Sequence, residues 1–199
     1  MILLFFVIFI TIYNLSNKML IDIGTAKYLA MLSSASYYAI ENTLTPSTNF
    51  EDFFKIEKNS QGDVTLILTD AYKFNSISVN IVNFVSNYFE NNINQGVEVP
   101  IGVFTGLKLF SGFGKKVKMP LINVYSVRCD IVSSFTEAGI NQTKHSLYIN
   151  IVPNVSIVTR FKTKNLTDKT TILIYENIIV GKIPSTYLQG SVISTEKIL

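Results

Sequence analysis

Hydrophobic and polar positions fall into three regimes along the 199 residues. The first is Met1 to Tyr13, MILLFFVIFITIY, which is apolar almost throughout. As a helix it would be ~20 Å long at ~1.5 Å per residue, against ~30 Å for a bilayer core. That length suits a signal-peptide core, yet no basic residue precedes the run and no small-x-small cleavage site follows closely. The apolar character continues through Leu15 towards Met19 and Ile23, which extends the run to a tilted or mismatched span. Residues 1–16 are therefore expected to form an N-terminal membrane anchor, or else an uncleaved signal-like segment.

The second regime is helical. Between Asn17 and Glu41, Met19, Ile23, Ala26, Ala30 and Tyr37 recur at helical spacing with no proline, which predicts an amphipathic helix continuing from the anchor. The segment TLTPSTN, Thr43 to Asn49, ends it as a loop. Strands are predicted at Phe53 to Glu57 and Val64 to Thr69, turned through Gly62 and Asp63. Asp70 is placed as an N-cap. After it Phe74, Ile77, Ile81, Phe84 and Tyr88 step by three and four along one face of a second helix reaching about Asn91. Such an aromatic stripe usually packs a core.

The third regime has period two. Gly96 to Phe104 is extended around Pro100, and Ser111 to Lys116, SGFGKK, is a glycine turn into a strand. It lacks the G-x-x-x-x-G-K-[ST] frame of a phosphate loop and does not open a helix. Three long alternating runs follow. Tyr125, Val127, Cys129, Ile131 and Phe135 share one face of the first. Leu147, Ile149, Ile151, Val155, Ile157 and Phe161 share a face of the second, and Ile172, Ile174, Ile178 and Val180 of the third. Because strands are ordinarily about five or six residues, Pro153 is expected to mark a bulge or a sheet switch. The fold class is α+β: an anchor helix continuing into an amphipathic helix, a strand pair, a second helix and a long-stranded antiparallel sheet. The expected organisation is one α+β domain over 17–190 and a C-terminal tail over 191–199.

Composition narrows the chemistry. At 48% hydrophobic the chain has ample core, and its net charge of +3, from 17 basic and 14 acidic residues, is too small an excess to indicate nucleic acid. Lys115, Lys116 and Lys118 form the densest basic cluster; they read as a solvated strand end, with anionic lipid as the other option. One Cys and one His cannot supply a zinc site, and Cys129 reads as a buried, inert thiol. No metal or cofactor is expected. The histidine lies in EAGINQTKHSLYINIVP, Glu137 to Pro153. Gly139 to Thr143 reads as a hairpin turn, since Gly139 and Asn141 tolerate left-handed backbone. His145 then shares parity with Leu147 and Ile149. With no G-x-S-x-G elbow or similar frame around a nucleophile, it reads as structural or as a surface residue, and the protein as a non-enzyme.

Several short motifs, taken in order, resemble YunB, a sporulation protein family of endospore-forming Firmicutes. They are Val99-Pro-Ile-Gly102, Leu109-Phe-Ser-Gly-Phe-Gly114 with Val117 to Pro120, Gly139-Ile-Asn141, Arg160-Phe-Lys-Thr163, and Val180-Gly-Lys-Ile-Pro-Ser-Thr-Tyr187. The positions they single out as structural are Pro100, Gly102, Gly112, Gly114, Gly139, Asn141, Gly181 and Pro184. The resemblance implies one N-terminal transmembrane helix and a role in building the spore envelope. It implies a site in the mother-cell or outer forespore membrane, with the domain outside the cytoplasm. It carries no catalytic residues. The implied partners are membrane lipid and proteins of the spore envelope, not nucleic acid. The alternative is a lipid-handling module that uses the apolar face of the long sheet; that reading gains if the face keeps an open trough and loses if a helix fills it.

Overall fold

The computed structural model describes residues 1–45, 48–49, 53–60, 64–139, 142–160 and 162–180. Helix α1, Ile2–Thr43, is 42 residues long without a break, so the expected anchor and amphipathic segments are one helix. It lies in two environments. Up to Ile12 every side chain is exposed, and from Ser16 onward one face is buried: Leu20, Gly24, Tyr28, Met31, Ala35 and Ala39.

That face is not the expected one. Ala26, Ala30 and Tyr37 are exposed, and the predicted stripe is centred about 160° round the helix from the buried one at ~100° per residue. Apolar residues surround α1 here, so the spacing of large side chains does not select a side. Small residues do. A Cβ added at Gly24 would stand 2.6 Å from Cγ2 of Ile157, so the helix backbone lies closer to its neighbour than any side chain at that position allows.

Helix α2, Ala71–Ile93, starts where Asp70 caps it: the Lys73 backbone N–H donates to Asp70 Oδ1 at 3.1 Å. Its buried line is Phe74, Ile77, Ile81, Val85 and Phe89. The expected Phe84 and Tyr88 are only half-buried; they meet Tyr38 of α1, with ring centroids 6.1 and 5.8 Å away. Stepping by four from Ile77 keeps the core line, and the bulkier aromatic pair is left for the helix–helix seam, where Tyr28 also stacks on Phe89 at 6.3 Å.

The strands form three antiparallel groups. β1, Phe54–Lys58, pairs with β2, Val64–Thr69, as the sequence predicts. β3, Val97–Pro100, pairs with β4, Lys116–Met119, in a separate two-stranded sheet. The long strands are β5, Ile122–Gly139, and β6, Gln142–Val158; β6 pairs with β5, β7 (Thr163–Leu166) and β8 (Thr170–Val180). β7, short and polar, has no alternation to announce it.

Pro153 does not mark a sheet switch: it lies within the unbroken β6, which belongs to one sheet throughout. β7 covers Val155 to Val158, and beyond it Thr171 of β8 donates to Asn150 Oδ1 at 2.7 Å. β7 and β8 thus follow one another along one edge of β6, and the proline, which lacks an N–H, falls opposite the gap between them at 167–169. The apolar set Leu147, Ile149, Ile151, Val155 and Ile157 is fully buried, as its parity predicts. In β5 the alternation weakens, with Val127, Cys129 and Ile131 half-buried but Tyr125 and Phe135 exposed.

The chain divides into two compact units. One comprises Met1–Thr48, Asn75–Asp130 and Asn150–Thr171; the other comprises Asn49–Phe74, Ile131–Ile149 and the segment from Ile172. The expected turn at Gly62 and Asp63, together with Asn141, Phe161, Gly181 and Pro184, lies outside the described residues.

Candidate functional site

Of the structural positions singled out in the sequence, four meet in one loop between β3 and β4. Pro100 closes β3 opposite Lys116, and 3₁₀ turns follow at Ile101–Thr105 and Lys108–Phe110. Gly102 is buried at the centre of this loop. Its N–H donates to the Phe113 carbonyl at 3.0 Å, and a Cβ there would collide with the Phe110 carbonyl oxygen. Gly114 takes φ +92°, where a side chain is strained, whereas a Cβ at Gly112 would meet nothing within 4 Å. Gly102 and Gly114 therefore hold the loop and Gly112 does not.

Gly106, which the sequence reading missed, fixes the loop to α1. It has φ +72°, and a Cβ there would lie 2.8 Å from the Ile12 carbonyl oxygen and 3.0 Å from Leu15 Cβ. Beside that contact is an apolar recess of about 300 Å³, lined by Phe9, Ile12, Leu20, Phe104, Met119 and Arg160. A second recess of about 600 Å³ lies along the same helix and is more polar, with Asn17, Lys18, Asp22, Lys162 and Lys164 in its wall. The stretch of α1 where exposed apolar residues give way to buried ones is thus ringed by loop, recess and basic side chains.

His145 sits in the other unit, and it is 4% exposed. The expected hairpin joins two long strands, but Gln142 and Thr143, placed in the turn, already belong to β6: β5 ends at Gly139, with φ +143°, and β6 begins at Gln142. The imidazole stacks on Phe135 with centroids 4.3 Å apart and planes 7° from parallel, while Phe54 and Tyr175 meet it edge-on at 5.0 and 6.0 Å. Its Nε2 is 2.8 Å from Ser133 Oγ. Burial holds the imidazole below its ordinary pKa, so the ring stays neutral at pH 7. A hydroxyl beside a histidine is half of a nucleophile–base pair, but no described carboxylate pairs with the ring. Glu176 instead accepts from Ser146 Oγ at 3.0 Å and pairs with Lys144 at 3.5 Å. The parity shared with Leu147 and Ile149 pointed to burial; the four-ring cluster, drawn from β1, β5, β6 and β8, leaves no trace in one dimension.

Cys129 is half-buried, and its thiol is pushed up to about 11, first by burial and then by neighbouring Asp130, against a hydrogen bond from Ser78. Such a thiol is a poor nucleophile and metal ligand. Among the described residues no group of three or more His, Cys, Asp or Glu stands close enough to hold a metal ion.

Known proteins resemble this arrangement at the level of sequence. The family model described as Sporulation protein YunB matches residues 96–186, from just before β3 to beyond β8. Sporulation protein YunB of Bacillus subtilis (strain 168) is 20% identical to this chain over 181 residues, covering 86% of this chain and 71% of that protein. No solved structure matches. The glycine loop and the long strands therefore lie inside the matched region, and over residues 96–186 the chain is similar to the sporulation protein YunB family.

Proposed function

We propose that this protein is a membrane-tethered, non-catalytic factor in building the spore envelope. It acts from the mother-cell or outer forespore membrane with its folded part outside the cytoplasm. The family supports the sporulation role. The observation that carries the tether is the exposed run Ile2 to Ile12 at the start of α1, apolar but for Thr11. Among the described residues α1 is the one helix long and apolar enough to cross a membrane. In water those side chains would stand as an exposed apolar column; in lipid each methylene transferred contributes about 0.8 kcal/mol.

The non-catalytic reading is supported by the ring-clamped His145 and the high thiol of Cys129, the two side chains best suited to nucleophilic chemistry. The alternative, lipid handling on the sheet's apolar face, has less support, because Leu147, Ile149, Ile151, Val155 and Ile157 are all buried and the recess of about 450 Å³ between α2 and β5 has a mixed polar and apolar wall. The test is complementation. A Bacillus subtilis strain lacking its YunB receives this chain or its Phe5→Lys/Phe9→Lys variant, and spore envelopes are compared by electron microscopy. Restoration by the first and not by the second is expected. Equal restoration by both would sink the tether as a functional element, and restoration by neither would sink the shared role.

A further inference from the structure

The β3–β4 loop exposes more apolar surface than its packing requires. Leu109 is 77% exposed and Phe113 67%, and Leu107, Phe110 and Ile101 are also open. Phe110 and Phe113 lie edge to face, with centroids 6.5 Å apart. Interleaved with them are Lys108, Lys115 and Lys118, all exposed and without a salt bridge among the described residues, and Lys116, which pairs with Glu98 at 3.5 Å. Apolar side chains rimmed by lysine are the composition of a bilayer interface contact, where hydrocarbon takes the rings and anionic headgroups take the ammonium groups.

Position identifies the occupant. The loop is fixed to α1 at Ile12 and Leu15 by Gly106, at the inner end of the exposed apolar run. From Ile2 to Ile12 that run covers only ~16 Å, about half of the ~30 Å hydrocarbon core. A full span needs ~20 residues and would end near Ile21, yet Ser16, Leu20 and Ile21 are already covered by protein. The surface at the depth where the membrane should end is therefore the loop itself.

We propose that residues 101–118 form a second membrane contact. Leu107, Leu109, Phe110 and Phe113 enter the interface of the bilayer that α1 crosses, and Lys108, Lys115 and Lys118 rest on its anionic headgroups. This rests on the tether proposed above and completes its short span.

The full chain, in a Cys129→Ser background, is labelled with an environment-sensitive fluorophore at Phe5→Cys, Phe113→Cys or Ser34→Cys. It is reconstituted in phosphatidylglycerol–phosphatidylcholine vesicles whose acyl chains carry nitroxides at shallow or deep positions. Phe113 and Ser34 are exposed, so substitution there leaves the core intact, which circular dichroism checks. Ser34 lies ~28 Å along α1 from Leu15 at ~1.5 Å per residue. The expected result is deep quenching at position 5, shallow quenching at 113 and none at 34. Lys108→Glu/Lys115→Glu/Lys118→Glu should lower quenching at 113 by about twofold or more and leave position 5 unchanged. Quenching at 5 without quenching at 113 overturns the loop contact and leaves the tether standing. Loss of quenching at 5 overturns the tether and the proposal with it, and quenching at all three positions overturns both by laying α1 along the surface.

Discussion

At the scale of single residues, the glycines separate into those that hold the fold and those that do not. Gly102→Ala drives a methyl group into the Phe110 carbonyl and should destabilise the protein by about 1–3 kcal/mol, in the range for overpacked sites. Gly112→Ala, with open space around it, should stay within about 0.5 kcal/mol of the parent. Urea titrations of the two variants test the contrast, and equal losses would mean that the loop is held some other way. His145 makes a second test. Its folded pKa lies below the ordinary 6.5, so the unfolded chain takes up its proton first as pH falls. Stability is then full above about pH 6.5 and declines as pH falls from there towards the folded value. His145→Phe should remove that part of the acid sensitivity, read as a flatter dependence of the urea midpoint between pH 7 and pH 5. Cys129 gives a third. With its thiol near 11, folded protein at pH 8 should react with a disulfide reagent roughly a hundredfold more slowly than unfolded protein. Equal rates would mean that the thiol is not shielded.

At the scale of elements, periodicity marked out both helices, the β1–β2 pair, the β5–β6 hairpin and β8. The local rules of capping, turn chemistry and alternation all agree on those segments. What it could not choose was the face of α1. Met19, Ile23 and Tyr37 repeat as regularly as Leu20, Tyr28 and Met31, and only the close approach at Gly24 reveals which side is packed. Gly24→Leu should therefore cost about 1–3 kcal/mol, while Ala30→Leu on the exposed side should cost little. Equal costs would return α1 to the face the large residues mark. The same limit applies to the site. The glycine loop was visible as a motif, but its attachment to α1 through Gly106 joins segments some ninety residues apart in sequence. Pro153 was visible as an irregularity, and its meaning depended on β7, whose four residues, three of them polar, carry no pattern.

At the scale of the whole molecule, function depends on one physical asymmetry. Among the described residues the first turns of α1 are apolar and exposed, and the same helix continues into a packed core. Similarity to a sporulation family, a histidine sealed among rings and an exposed apolar helix end together support the tethered component proposed above, and the tether is the part of that proposal on which the rest depends. Alkaline carbonate extraction of membranes from sporulating cells that express the full chain tests it most directly. The chain should stay in the membrane pellet, and its Phe5→Lys/Phe9→Lys variant should move to the supernatant. Release of the unaltered chain into the supernatant would contradict the tether.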